Sequence, residues 1–260
     1  MNVKVNYVPA ERQEMIVQYV KQHGSAQIKP LSDWLDVSEA TVRRDLDELS
    51  ASGYLERTHG GAISRKSGTS FERQYDEKLT LMEPEKRKIA QAALQFIEPG
   101  DTLFLDSGTT CYYLGCALED IPNLTVFTYD LMNAYSASLH MTSTLILSGG
   151  IRRPAFNNVL IGSSVTDFLR QLRFDKVFLG ADAVDVNYGV SNSNYPEAEI
   201  KQHALEAGQK AILLTDSSKF GKVALSRVCG FDQIDTLITD SNIDRQDLQE
   251  LSKHMETIVV

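Results

Sequence analysis

The sequence predicts an α/β protein in two parts, a small helical domain ending in a hairpin and a larger domain on a parallel sheet. Three observations predict it. From residue 84 onward, apolar runs at 102–105, 124–128, 144–147, 176–180, 211–215, 236–239 and 257–260 alternate with helical stretches near 110–119, 131–139, 162–171, 196–207 and 244–253. Short strands alternating with helices make a parallel sheet covered on both faces. Residues 10–62 carry a different pattern, three helical segments and a strand that runs into paired glycines. Between the two, residues 63–83 are polar and charged without apolar periodicity and are expected to be a linker. The expected boundaries are 1–62, 63–83 and 84–260.

The N-terminal elements follow in order. Over 10–21 the apolar residues Met15, Ile16, Tyr19 and Val20 share one helical face, and His23-Gly24 ends the segment. Pro30 opens a second short helix over 31–35, since proline is tolerated in a first turn. Asp36-Val37 is a tight turn. Ser38 caps a third helix, with Glu39 in the first turn where the helix dipole favours an anion. Val42, Leu46 and Leu49 anchor that helix to a core, and Gly53 closes it. Tyr54-Leu55-Glu56-Arg57 then reads as a strand into the Gly60-Gly61 turn.

Helix, turn, helix and wing in this order outline a winged helix-turn-helix. In that motif the second helix of the pair enters the major groove by its N-terminal residues. The candidate DNA contacts are therefore Ser38, Thr41, Arg43 and Arg44, with Arg57 and His59 in the wing. Hydroxyls suit phosphates, and an arginine suits a guanine edge. Successive residues lie about 100° apart on a helix, so Arg43 and Arg44 divide their tasks, one reading a base and the other holding a phosphate. Taken alone, two arginines beside Asp45, Asp47 and Glu48 read better as helical ion pairs. The preceding helix, the cap and the wing in register favour DNA.

Composition narrows the class. The chain has 260 residues, 42% hydrophobic and 23% charged, with a net charge of −9. That balance belongs to a globular protein with a sizeable core. No apolar run approaches the roughly 20 residues of a membrane helix, and residues 1–6 lack a signal-peptide core, so a cytoplasmic protein without a membrane partner is expected. Three cysteines without C-x-x-C spacing argue against a disulfide framework or a zinc module, and no metal or cofactor is expected. The charge excludes a broad basic face: residues 1–61 hold seven Lys or Arg against nine Asp or Glu. The positive charge is local, at Arg43, Arg44, Arg57, Arg65 and Lys66. Such a patch should bind DNA salt-sensitively and be doubled in a homo-oligomer, a dimer or a tetramer.

In the second domain, Asp106-Ser107-Gly108-Thr109-Thr110 follows a strand and opens a helix. Backbone N–H groups and the helix dipole receive an anion there, beyond the carboxyl ends of the strands where ligands of such folds lie. Arg153 stands at another strand end and can pair with phosphate oxygens. Asp182 follows the run at 176–180 and can accept sugar hydroxyls, and Lys219 follows the run at 211–215 as the strongest cationic candidate. Glu197 and Lys201 are spaced i, i+4, which fits either a ligand role or a helical ion pair.

Val37-Ser38 through Arg43-Arg44-Asp45-Leu46, then Leu49, Gly53 and Arg57-Thr58-His59-Gly60-Gly61-Ala62, resemble the signature of the DeoR family of bacterial regulators. Asp106 to Thr110, Gly149-Gly150, Gly180-Ala181-Asp182, Glu197 with Lys201, and Asp216-Ser217-Ser218-Lys219-Phe220 resemble that family's effector domain, so the likeness covers nearly the whole chain. It implies a transcription factor, usually a repressor of sugar-catabolism genes, that binds double-stranded operator DNA. It also implies a Rossmann-like domain, similar to ribose-5-phosphate isomerase, that senses a phosphorylated sugar. Those isomerases carry Lys-Gly-Gly-Gly after the Gly-Ala-Asp motif, whereas residues 186–193 here contain no such stretch. No catalytic residue is therefore expected. The alternatives are a sugar-phosphate isomerase-like enzyme with a vestigial DNA-binding segment, which would need a carboxylate base and a cation, and an activator of the same family.

Overall fold

The computed structural model describes residues 7–23, 25–52, 54–58, 60–64, 69–70, 72–73, 75–153 and 158–260. The chain divides into two compact units, Met1–Gly68 and Thr69–Val260.

The first unit comprises α1 (Pro9–His23), β1 (Ser25–Gln27), α2 (Ile28–Leu35), α3 (Glu39–Ala51), β2 (Leu55–Thr58) and β3 (Gly61–Ser64). Its strands form an antiparallel sheet in the order β1-β3-β2. Ile16 and Val20 from α1, Leu31 and Leu35 from α2, Val42, Leu46 and Leu49 from α3, and Leu55 from β2 make its core. The 3.6-residue spacing of these positions is what closes three short helices on one another. A buried ion pair adds a fixed cross-tie: Arg12 Nε donates to Asp45 Oδ2 at 2.5 Å and Nη2 to Oδ1 at 3.0 Å. Between α2 and α3, Asp36 adopts a left-handed conformation (φ 50°), which aspartate tolerates better than most residues. Helix α2 begins three residues before the expected start, so Pro30 lies within its first turn instead of opening it. The strand β1 was not expected, because three residues are too few to show alternation.

The second unit begins before residue 84. The expected linker region contains α4 (Tyr75–Thr80), and Leu225 N donates to Thr69 O at 2.8 Å. Then come α5 (Glu83–Ala93), β4 (Thr102–Leu105), α6 (Thr109–Gly115), β5 (Thr125–Thr128), α7 (Leu131–Ser136), β6 (Thr144–Leu147), β7 (Ile151–Arg152) and β8 (Leu160–Ile161). The remainder is α8 (Ser163–Leu169), β9 (Phe174–Leu179), β10 (Ala183–Asp185), β11 (Gly189–Asn192), α9 (Tyr195–Ala207), β12 (Gly208–Leu214), β13 (Ser226–Cys229), β14 (Thr236–Thr239), α10 (Arg245–Leu251) and β15 (Glu256–Val259).

Seven strands pair in parallel in the order β15-β14-β12-β9-β4-β5-β6. Alternate side chains feed two cores, as the period of a strand requires. Phe104, Phe127, Val177, Leu179 and Leu213 enter the core that α8 and α9 cover. Leu103, Leu105, Val126, Phe178 and Leu214 enter the core that α5 and α6 cover. The strands step outward from β4 through β5 to β6, then return to β9 on the other side of β4. That reversal puts the carboxyl ends of β4 and β9 side by side and opens a crevice above them, the general ligand position of such sheets. Two small antiparallel sheets, β10-β11-β13 and β7-β8, lay further loops at this rim.

Candidate nucleic-acid interface and candidate anion cavity

In the first unit, Ser38 caps α3: its Oγ accepts from Thr41 N at 3.1 Å and lies 2.8 Å from Thr41 Oγ1. Both hydroxyls thus stand at the first turn of α3. Arg43 and Arg44 are exposed, but only Arg44 lacks an ion pair among the described residues. Arg43 Nη2 donates to Glu39 Oε2 at 2.8 Å. An exposed pair of this kind is worth little and breaks readily for a phosphate. Arg57 donates from Nε to Asp47 Oδ1 at 2.7 Å and from Nη1 to Gly61 O at 2.5 Å, tying the wing to α3. Gly61 itself is required by packing, since a Cβ there would lie 1.9 Å from Ala26 O. His59, with Gly24, Gly53, Arg65 and Lys66, lies outside the described residues.

In the second unit, the crevice above β4 and β9 is a cavity of about 430 Å³, counting space open to solvent. Ser107, Gly108, Thr109, Thr110, Asp182, Glu197, Lys201 and Lys219 all line it. Asp106 and Arg153 do not. Asp106 is fully buried beneath the floor, where Oδ2 accepts from Lys201 Nζ at 2.6 Å and from Gly180 N at 2.7 Å. Its other oxygen accepts from Tyr129 OH at 2.6 Å. The carboxylate is thereby saturated, and it locks the ends of β4 and β9 together through α9. Lys201 spends a second hydrogen bond on Gly180 O at 2.9 Å, and the Asp106 charge keeps its pKa above the usual lysine value despite burial.

Glu197 and Lys201 are not paired with one another. Glu197 is held by Arg153 Nη1 on Oε1, and Arg153 Nη1 also donates to Glu72 Oε2 at 2.6 Å. The other Glu72 oxygen accepts from Lys78 Nζ at 2.7 Å. Burial, with Glu72 nearby and only partly offset by Arg153, pushes the Glu197 carboxyl up to about 7. Burial would raise Asp182 as well, but the charges of Lys78, Lys219 and Lys201 outweigh it and hold that carboxyl down at about 2. Asp182 Oδ2 accepts from Ser193 N at 2.9 Å.

Lys78, Lys86 and Asn192 also line the cavity and were not foreseen. Lys86 is 2% exposed on the buried face of α5, alongside Ile89, Ala90 and Ala93. A lysine in phase with an apolar face is a signal the sequence does carry. Its ammonium donates to Lys78 O, and burial with repulsion from Lys219 and Lys78 brings its pKa down to about 8 although Asp216 opposes them. Lys78 sits in the polar stretch taken for a linker, where nothing in the pattern marks it. Of the four lysines, Lys78 and Lys201 have carboxylate partners within 3 Å, whereas Lys86 and Lys219 show no such pair among the described residues.

Residues 12–68 match the family model of the DeoR-like helix-turn-helix domain, and residues 82–241 match that of the DeoR C terminal sensor domain. The chain belongs to the DeoR family. One relative, the putative aga operon transcriptional repressor of Escherichia coli O157:H7, is 35% identical over 96% of this chain and 94% of its own. The L-fucose operon activator of Haemophilus influenzae is 32% identical over 89% of this chain and 92% of its own. Among solved structures, ribose 5-phosphate isomerase A from Methanocaldococcus jannaschii is 17% identical with a TM-score of 0.39, covering 54% of this chain and 55% of that one. As a DeoR-family protein the chain is a DNA-binding transcriptional regulator, with its reader in the first unit and its sensor domain in the second. Among the described residues no helix is long and apolar enough to cross a membrane.

Proposed function

We propose that this regulator is a repressor of a carbohydrate-utilisation operon, and that a phosphorylated sugar entering the cavity above β4 and β9 releases it from its operator. The observation that carries this reading is the composition of the cavity wall. Lys86 and Lys219 supply ammonium groups that form no ion pair among the described residues, Thr110 brings a hydroxyl to the same space, and Gly108 and Thr109 line it while donating to Asp130 Oδ2 and Lys78 O. Asp182 and Asn192 add hydroxyl-binding groups across it. A phosphate at one end and a polyol at the other match that division. In the reader, Ser38, Thr41, Arg43 and Arg44 face the groove, and Arg57 positions the wing. Release follows from linkage: the sugar must favour the arrangement that binds DNA less well.

Gel-shift titration on the protein's own promoter region tests both halves. Operator binding at low salt, weakened by at least one sugar phosphate and not by the free sugar, is expected. No binding at low salt would remove the reader, and binding indifferent to every sugar phosphate would remove the sensor reading. A reporter that falls, not rises, when the gene is deleted would make the protein an activator, as its fucose-operon relative is named. Turnover is the competing reading, because a carboxyl near 7 is in the range of a general base. We infer binding without turnover, since Asp106 is saturated by three donors and Glu197 is held by Arg153. Ketose formation from ribose 5-phosphate in a coupled assay would overturn it.

A further inference from the structure

The two ends of the seven-stranded sheet are finished differently. At one end β15 begins at Glu256 and is preceded by Lys253 and His254, the charged dressing that keeps an open edge from pairing. At the other end lies β6, Thr144-Leu145-Ile146-Leu147, within a run of 21 residues, 131–151, that contains no Asp, Glu, Lys or Arg. In a chain that is 23% charged this is an unusual stretch to leave on a surface. It is on the surface: Leu147 is 41% exposed, Ile151 70%, and Met141 93%.

The backbone of β6 has a free side as well. Thr144 N donates to Leu124 O at 2.8 Å and Ser148 N to Thr128 O at 3.0 Å, so even-numbered residues turn their amides to β5. Leu145 and Leu147, between them, direct their N–H and C=O groups outward, where a further strand would satisfy them. Within β6 itself there is no proline, bulge or lysine.

We propose that β6 is the homo-association surface of this protein and that its partner is the β6 of a second copy, paired antiparallel about a two-fold axis through Ile146. In that register Leu145 and Leu147 of one copy exchange hydrogen bonds with Leu147 and Leu145 of the other, and the two Ile146 residues form the intervening non-hydrogen-bonded pair. Charge selects the partner. Two chains of net charge −9 repel one another over most of their surfaces, and this face brings no charge to the contact. A basic protein would instead be drawn to the acidic faces elsewhere, and DNA, itself an anion, to the arginines of the first unit. The same strand on both copies makes the contact isologous and closed, so pairing stops at two chains per edge.

Sedimentation equilibrium of the full-length chain tests the surface. The wild-type chain should show at least twice the single-chain mass at micromolar concentration. A Leu145→Lys/Leu147→Lys variant should fall to half of the wild-type mass while keeping the wild-type circular-dichroism spectrum, because both side chains are already partly exposed, at 36% and 41%. Val259→Lys, on the opposite edge, should keep the wild-type mass. Ile146→Cys should give a covalent dimer on mild oxidation that the wild-type chain does not, as facing residues of a non-hydrogen-bonded pair lie within disulfide range. A wild-type chain that stays single, a double-lysine variant that keeps the wild-type mass, a mass halved by Val259→Lys, or an Ile146→Cys chain that does not cross-link would each overturn the proposal.

Discussion

Asp106 shows how burial changes the meaning of a motif residue. At the head of a Ser/Gly/Thr loop it was expected to touch a ligand, yet it lies under the floor with both oxygens occupied. Asp106→Asn leaves the Lys201 ammonium buried beside a neutral amide. Removing one partner of a buried pair costs about 3–5 kcal/mol, which urea unfolding should show, and adding Lys201→Met should recover part of that loss. Lys86 is the reverse case, unmarked by any motif but poised by its surroundings. A bound phosphate favours its charged form, and in the free protein its pKa is near 8. Below 8 the proton is already present, so affinity for a sugar phosphate should not depend on this group. Above 8 binding must recapture the proton, so affinity should fall by up to about tenfold per pH unit. Isothermal titration from pH ~7 to ~9.5 checks the slope, which Lys86→Met should flatten at this end of the range.

Elements were more legible than the residues within them. The cap at Ser38 and the core row of Val42, Leu46 and Leu49 were readable because helices announce themselves by start signals and period. The strands β7, β8, β10, β11 and β13 were not readable, since they are two to four residues long and pair antiparallel at the rim. The pairing of β3 with β1 requires a close approach, that of Gly61 to Ala26 O. Gly61→Ala should therefore displace β3 from β1 and weaken operator binding in a gel shift, while sugar-phosphate binding is unchanged. Retained operator affinity would show that the wing does not contribute. Arg44→Ala should cost about 1–3 kcal/mol at one operator position if the side chain reads a base, and a uniform loss with a shallower salt slope if it holds a phosphate.

Over the whole molecule, the class of fold was legible because a parallel sheet covered on both faces writes its strands as apolar runs. The order of those strands was not, and it is the order that makes the cavity. No local pattern states that β9 returns beside β4, because that fact resides in pairings such as Leu105 with Phe178. The acidic balance also acts at this scale. With net charge −9 the chain must bind DNA through few phosphates, so the logarithm of operator affinity should fall with the logarithm of salt at about 0.9 per phosphate neutralised. A slope near ten would contradict a compact patch.

Sequence distance has a consequence for the order in which the two activities come into existence. Every strand and helix of the reader is complete by Ser64, with its buried Arg12–Asp45 tie closed across 33 positions. The sensor's floor needs Asp106 to meet Lys201, 95 positions later, and the sheet needs β12, β14 and β15 after that. As the chain leaves the ribosome, the part that can recognise an operator is finished long before the part that can be told to let go. A message truncated between these points should yield a DNA reader deaf to sugar.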